Sequence, residues 1–142
     1  MRALCKKLMR LAAALLLLIS LAGCSGGGTA GGADIDLSED SANVAYAAIA
    51  AMIDDSDAYV GKTVKVSGQL MIDVEPENGK LHYAVIISDA AGCCVRGIEF
   101  IPCSADEAAR LPQAYDSVTV IGTFENRMDG YLYSHLENAR IE

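Results

Sequence analysis

Apolar and polar residues follow three successive patterns along this chain of 142 residues. A nearly continuous apolar run occupies residues 11–21. Between residues 39 and 53, apolar residues recur every three or four positions, which is typical of one face of an amphipathic helix. From Lys62 onwards, apolar and polar residues alternate with a period of two, which indicates half-buried β-strands. The pattern therefore predicts an apolar N-terminal segment, one helix and a β-rich domain.

The β-rich part divides into five strands at residues with turn chemistry. Pro76–Lys80 contains Pro, Asn and Gly, and Asp129-Gly130 is a pair that favours tight hairpins. Ser104, with Glu107 three residues later, forms a capping box, which predicts a short helix that reaches about Arg110. The predicted strands cover residues 62–72, 81–88, 93–101, 117–125 and 131–141.

Three strands, a short helix and two further strands form the order of the OB-fold, a five-stranded Greek-key barrel. Gly68 and Gly122 lie in the middle of the first and fourth strands, where the sharp coiling of a closing barrel favours glycine. We therefore expect a mainly β (α+β) domain over residues 59–142, an OB-like barrel with a helix between strands three and four. The helix over residues 39–53 and the acidic loop after it form an N-terminal addition, residues 38–58. An open α+β meander of the same elements is the alternative.

The first 23 residues have the layout of a secretory signal peptide. Basic residues open the segment, the apolar run follows, and Leu21-Ala22-Gly23-Cys24 closes it. The apolar run has about half of the roughly 20 residues that a spanning helix needs, so a cleaved signal is favoured over a short uncleaved anchor. Residues 24–37 begin with a glycine-rich stretch and are predicted to be a flexible tether.

Removal of residues 1–23 changes the charge of the chain. Those residues hold four of the eleven Lys and Arg and none of the nineteen Asp and Glu, so seven basic and nineteen acidic side chains remain, a formal charge of −12. Such an excess opposes binding to phosphate backbones and to anionic lipid surfaces, because both need clustered Lys and Arg. We therefore expect membrane contact through a covalent anchor and regard nucleic acid as an unfavourable partner.

Four stretches are similar to small bacterial OB-fold lipoproteins. Leu21-Ala22-Gly23-Cys24 resembles the lipobox, in which cleavage between Gly23 and Cys24 leaves a cysteine that carries diacylglycerol. Tyr59–Gly68, Asp89–Phe100 and Val120–Glu125 resemble parts of the domain, chiefly through the run Asp-x-x-x-Cys-Cys-x-x-Gly-Ile-Glu-Phe. The domain also resembles the broad tRNA-anticodon-binding-like OB group. The resemblance implies an extracytoplasmic domain anchored to a bacterial membrane by acyl chains such as palmitate, and it implies a fold rather than a reaction.

Three cysteines remain outside the signal and the anchor, Cys93, Cys94 and Cys103. Neighbours on a strand face opposite sides, so one of the adjacent pair is expected in the core and the other toward the next layer. In an OB barrel the third strand lies parallel beside the fifth, which would bring His135 near the thiols. Two thiolates and an imidazole suit zinc or cuprous copper, so Cys93, Cys94 and His135 form a candidate metal or redox site. Structural cysteines and a strained vicinal disulfide are the alternatives.

Tyr131, Tyr133 and His135 share one face of the fifth predicted strand. A tyrosine ring packs against apolar atoms while its hydroxyl forms hydrogen bonds. Tyr131 and Tyr133 therefore form a candidate binding face for a carbohydrate or a peptide. The favoured interpretation is that this face fills the barrel interior or seats the N-terminal helix, because small barrels fill their interiors with side chains.

The sequence contains no nucleophile elbow, no phosphate-binding glycine loop and no helical pair of metal ligands, so we expect no catalytic activity. It predicts a membrane-anchored extracytoplasmic lipoprotein that acts as a non-catalytic binding module. The expected partner is a protein, peptide or glycan of the cell envelope. Metal handling or redox chemistry at Cys93 and Cys94 is the second hypothesis, and oligonucleotide binding, which would be sensitive to salt, is the third.

Overall fold

The computed structural model describes residues 32–142, so the predicted signal peptide, Gly23, Cys24 and the first part of the tether lie outside the described residues. A mainly β domain is confirmed within this part of the chain. No helix between residues 32 and 142 is long and apolar enough to cross a bilayer. The elements are β1 (Ile35–Asp36), α1 (Ala42–Asp54), β2 (Thr63–Val74), β3 (Leu81–Ser88), β4 (Val95–Pro102), α2 (Ala105–Ala109), β5 (Ser117–Met128) and β6 (Leu132–Ile141).

The strands form one mixed sheet in the order β1-β2-β3-β4-β6-β5, and β2 also pairs with β5. β3 is antiparallel to both β2 and β4, whereas β6 is antiparallel to β5 and parallel to β4. β2 also pairs with β5 in antiparallel orientation, so the last long strand of the series is joined to the first. The five long strands therefore pair in a closed series, with α2 between the third and the fourth of them.

β2 changes its partner along its length. Residues 63–69 pair with β5, and residues 69–74 pair with β3. Gly68 lies at this change, where a Cβ atom would meet the carbonyl oxygen of Ile86 at 2.6 Å and a methyl carbon of Val85 at 2.7 Å. The two strands approach so closely here that only a residue without a side chain fits.

The alternate apolar residues of the strands fill the core, as the period-two pattern predicts. Val64, Val66 and Leu70 of β2 are fully buried, as are Phe124 of β5 and Leu136 of β6. These side chains form one hydrophobic cluster together with the buried face of α1. The helix and the strands therefore share a single core.

α1 begins three residues later than the predicted helix over residues 39–53. Ala45, Ile49 and Met52 are buried, and the helix packs against β3 and β4. Val44, the neighbour of the first of these residues, stays 52% exposed. The spacing of four and then three residues between the buried positions places them on one helical face.

The structure differs from the predicted tether at residues 35–37. Ile35 and Asp36 pair in parallel with the start of β2 as β1. Leu37 is buried, and its N–H group donates to the carbonyl oxygen of Lys65. Ile35 and Leu37 are apolar residues two positions apart, and their contact with the core explains why the chain joins the sheet before α1.

Candidate functional site

A tight turn between β3 and β4 holds two cysteines side by side. The Oδ1 atom of Asp89 accepts the backbone N–H of Cys93 at 2.9 Å and that of Cys94 at 3.2 Å. Gly92 within the turn has a φ of 67°, a left-handed conformation that glycine adopts without strain. One carboxylate therefore positions both cysteines through their backbone. We refer to Asp89, Cys93 and Cys94 as the dithiol turn.

Both thiols of the dithiol turn are exposed free thiols. Their Sγ atoms are 3.7 Å apart, and the Cys93 thiol donates to Oδ2 of Asp89 at 3.3 Å. The prediction that one thiol lies in the core and the other faces the next layer is therefore wrong. β4 begins at Val95 rather than at Cys93, so the alternation of a strand does not apply to the two cysteines.

The carboxylate of Asp89 shifts the pKa of the neighbouring Cys93 thiol. The backbone N–H of Cys94 is the largest cause of a lowered pKa at Asp89, and the Cys93 thiol comes next. The same carboxylate raises the pKa of the Cys93 thiol, with the Cys94 thiol as the second cause. Cys93 is therefore held in its protonated form at neutral pH, in contrast to the low-pKa cysteines that act as nucleophiles.

His135 lies apart from the dithiol turn. It is 3% exposed on β6, and its Nε2 atom lies 2.9 Å from Oε2 of Glu137. The parallel register pairs His135 with Glu99 of β4, five residues beyond Cys94, which is about 16 Å along an extended chain. The structure therefore does not bring His135 to Cys93 and Cys94, because the cysteines precede β4, whereas His135 is the fourth residue of β6 and pairs with the fifth residue of β4.

Tyr131 and Tyr133 lie on the outer surface at the start of β6. Tyr131 is 69% exposed, and its ring centroid is 5.7 Å from that of Tyr133. The Tyr133 ring lies in turn 5.6 Å from the His135 ring. Neither tyrosine belongs to the hydrophobic core, and α1 packs on β3 and β4, so the favoured interpretation, a face that fills the interior or seats the N-terminal helix, does not hold for them.

Tyr131 borders a cavity of about 300 Å³ on the outer face of β2, β3 and β4, which we call the Tyr131 groove. Its lining combines aromatic rings, an imidazole and carboxylates. The lining residues are Met71, Asp73, Glu75, Pro76, His82, Tyr83, Ala84, Glu99 and Tyr131.

An imidazole lies between carboxylates in the Tyr131 groove. Nε2 of His82 is 3.6 Å from Oε2 of Glu75, and Nδ1 is 3.8 Å from Oε2 of Glu99. The register also places His82 opposite Asp73 across the β2–β3 hairpin. The amino-acid pattern did not single out this cluster. Its signal was the presence of polar residues on both strands that flank the predicted turn at residues 76–80, since a hairpin places such residues opposite each other.

A larger cavity of about 640 Å³ opens between residues 37–45 and strands β2, β3 and β5. Some of its polar side chains already have partners. The hydroxyls of Ser67 and Thr119 are 2.8 Å apart, and Glu142 forms a 2.7 Å ion pair with Lys65. The Tyr131 groove, which combines several carboxylates with an exposed ring, is therefore the better candidate for a ligand site.

No protein-family model matches the chain, and no curated protein matches it. Among solved structures, the chain is similar to a "putative nucleic acid-binding lipoprotein" from Klebsiella pneumoniae subsp. pneumoniae, with 20% sequence identity and a TM-score of 0.43. The similarity covers 63% of this chain and 77% of that chain. A similarity of this size transfers neither a fold nor a function.

Proposed function

We propose that this protein is a lipid-anchored extracytoplasmic lipoprotein whose OB-like barrel acts as a non-catalytic binding module. The run Leu21-Ala22-Gly23-Cys24 after a basic and apolar segment supports lipidation of Cys24. Two acyl chains on one cysteine give stable anchoring, whereas a single chain gives only marginal binding. The domain would then work at the outer side of a bacterial membrane.

The pairing of the strands supports the barrel. Five long strands pair in a closed series, β4 and β6 are parallel, and a helix lies between the third and fourth strands. This is the order of elements in an OB-fold. Gly68 and Gly122 lie where neighbouring strands leave no room for a Cβ atom, as the coiling of a small barrel requires.

The Tyr131 groove is the observation that carries the proposed binding function. Pro76 in the turn after β2 and Tyr131 in the turn before β6 border the groove, and its floor includes residues of β3 and β4. OB-folds bind ligands at the corresponding surface, with the face of strands two and three and the loops on either side of it. An exposed tyrosine ring beside hydrogen-bonding groups suits a sugar ring or a peptide.

The charges of the Tyr131 groove narrow the class of ligand. The carboxylates of Asp73, Glu75 and Glu99 accept hydrogen bonds and make the groove acidic. A ligand that offers amino groups or several hydroxyl donors complements them, whereas a phosphate or a carboxylate is repelled. Peptides with free amines and amino sugars of the cell envelope have this chemistry.

Oligonucleotide binding is disfavoured because basic residues are few and several of them already have partners within the domain. All nineteen Asp and Glu but only seven Lys and Arg lie in residues 32–142. Several of the seven are engaged within the domain, and none lines the Tyr131 groove. The engaged pairs are Lys62 over the Tyr59 ring, Arg96 over the Tyr46 ring, Lys65 with Glu142, and Arg110 with Glu107.

A matched pair of tyrosine variants tests the proposed function. Tyr131 and Tyr115 are 69% and 68% exposed, but only Tyr131 borders the groove. Calorimetric titration with soluble peptidoglycan fragments and with a lysine-rich peptide compares the parent chain with Tyr131→Ala and Tyr115→Ala. Loss of an aromatic contact worth about 1.4 kcal/mol weakens binding about tenfold, so we expect this loss for Tyr131→Ala and none for Tyr115→Ala.

Two results contradict the proposed binding site. Equal weakening by both substitutions would show that the groove has no special role. Retention of single-stranded DNA that declines steeply with salt, together with no binding of either envelope probe, would favour the oligonucleotide hypothesis instead.

Metal handling or redox chemistry is the second candidate function. The observation that favours it is the close approach of the Cys93 and Cys94 sulfur atoms, 3.7 Å apart at the surface. Adjacent free thiols in contact with solvent can bind a soft metal or form a labile disulfide.

A further inference from the structure

Three potential metal ligands meet at the dithiol turn. A carboxylate oxygen of Asp89 and the sulfur atoms of Cys93 and Cys94 all lie within 4.8 Å of one another. The shortest separations are 3.3 Å between the Cys93 sulfur and Oδ2 of Asp89, and 3.7 Å between the two sulfurs. The cluster shares no residue with the Tyr131 groove.

Two of the three separations are close to those of a tetrahedral zinc site. With a Zn–S bond of about 2.3 Å and a Zn–O bond of about 2.1 Å, tetrahedral angles place two sulfurs about 3.8 Å apart and a sulfur and an oxygen about 3.6 Å apart. The observed separations are within about 0.1 Å and about 0.3 Å of these values. A linear two-sulfur site with bonds of the same length would need the sulfurs about 4.6 Å apart.

The fold holds the ligands in this arrangement. Oδ1 of Asp89 accepts the N–H groups of Cys93 and Cys94, which leaves Oδ2 beside the Cys93 sulfur. The N–H of Ala90 donates to Oδ1 of Asn43 at 2.8 Å, which ties the turn to α1. An ion would therefore meet ligands that are already close together, and little ordering of the chain would oppose its binding.

The donor atoms select the kind of ion. Calcium and magnesium take oxygen ligands, so two sulfurs disfavour them. Zinc accepts thiolates and carboxylates together and prefers four ligands in a tetrahedron. The protein supplies three, and both cysteines are exposed, so solvent can reach the fourth position.

We propose that Asp89, Cys93 and Cys94 bind one zinc ion, with the fourth coordination position open to solvent or to a ligand from another molecule. Binding replaces the two thiol protons, which pass to the solvent. Structural zinc sites are closed by four protein ligands, whereas this site would keep one position open to a ligand from outside the domain. The site therefore serves capture or transfer of zinc at the membrane surface. This inference rests on the second candidate function and is independent of ligand binding at the Tyr131 groove.

Zinc titration of the full chain in detergent micelles, under reducing conditions and against a chromophoric chelator, tests the site. We expect one zinc ion per chain. Loss of groups that merely support a metal ligand costs about 10- to 100-fold in affinity. Cys93→Ser and Cys94→Ser should therefore each weaken binding by at least about 100-fold, and Asp89→Asn by at least about tenfold. Asp89→Asn keeps an oxygen for the two backbone N–H groups and so leaves the turn intact.

Cobalt substitution and one control variant complete the test. Cobalt bound in place of zinc should show the absorption of a tetrahedral ion with sulfur ligands, and zinc should abolish it. Cys103→Ser removes an exposed thiol outside the cluster and should leave the affinity unchanged.

Absence of zinc binding, binding that survives Cys93→Ser and Cys94→Ser, or loss on Cys103→Ser would overturn the site. An unchanged affinity in Asp89→Asn would overturn the three-ligand set. Peptidoglycan or peptide binding that depends on Tyr131 in a chain that binds no zinc would overturn the zinc site alone.

Discussion

The Gly68→Ala substitution should destabilise the domain, although alanine ordinarily gains about 0.5–1 kcal/mol over glycine inside a strand. The added Cβ atom would lie 2.6 Å from the Ile86 carbonyl oxygen and 2.7 Å from a Val85 methyl carbon. β2 and β3 must then separate by about 0.8 Å to restore an ordinary contact of 3.4 Å. Overpacking costs about 1–3 kcal/mol, and the upper end applies here because the closest contact is with a backbone oxygen. After subtraction of the gain of alanine over glycine, we expect a net loss of about 2 kcal/mol in the free energy of unfolding.

Urea unfolding followed by circular dichroism measures this loss. With a denaturant dependence of about 2 kcal/mol per M, the midpoint should fall by about 1 M. Gly97→Ala meets a methyl carbon of Ile86 at 3.1 Å and the Val85 carbonyl oxygen at 3.2 Å, which is a milder approach, and it should lose less than half as much. Gly32→Ala meets nothing within 4 Å and should stay within about 0.5 kcal/mol of the parent chain. A midpoint for Gly68→Ala equal to that of Gly32→Ala would refute the close approach of β2 and β3.

Two further predictions concern the N-cap residues of the helices and the Asp89 carboxylate of the dithiol turn. Ser104→Ala should lower the free energy of unfolding by about 1 kcal/mol, because the Ser104 hydroxyl accepts a backbone N–H at the start of α2. Ser41→Ala should change it little, since Ser41 makes no such bond at α1, and equal urea midpoints for the two variants would contradict this account. Asp89→Asn should lower the pKa of the Cys93 thiol, because that carboxylate is the largest cause of its elevation. The assay is alkylation by iodoacetamide at neutral pH, followed by mass spectrometry. Alkylation of Cys93 should then become faster, while the rate at Cys103 stays the same. An unchanged ratio of the two rates would contradict the role of Asp89.

The strands were predictable because each long strand has one face against a core. The predicted strand over residues 81–88 has the observed bounds, and the one over residues 117–125 starts at the observed residue. β5 continues to Met128 because it pairs with β6 beyond the buried part, and its last two residues, Arg127 and Met128, are exposed there. Alternation marks the buried length of a strand, not its full hydrogen-bonded length.

The dithiol turn was predicted only in part. The residues Cys93 and Cys94 were recognised as the candidate chemistry of the domain, but their geometry depends on the Asp89 side chain, which accepts two backbone N–H groups and delays the start of β4. His135 lies inside β6 and pairs with Glu99 of β4, so it stays apart from the two cysteines, which precede β4. Register between strands distant in sequence is set by side-chain packing across the whole sheet, which periodicity does not report.

The Tyr131 groove depends on the same long-range register. Within one hairpin, the six residues between β2 and β3 place Asp73 opposite His82. Glu99 joins them through the β3–β4 pairing, and Tyr131 comes from a turn nearly fifty residues beyond His82. A groove formed by three such segments becomes visible only when the strands are assembled.

Lipidation of Cys24 is the claim on which the location and the partners of this protein depend. Cells that express the parent chain, Cys24→Ala or the control Cys5→Ala can be labelled with an alkyne analogue of palmitate and separated into membrane and soluble fractions. We predict label and membrane association for the parent chain, and the loss of both in Cys24→Ala. Cys5→Ala should behave as the parent chain, because residue 5 lies in the predicted signal peptide. A Cys24→Ala chain that is labelled and remains with the membrane like the parent would contradict the account.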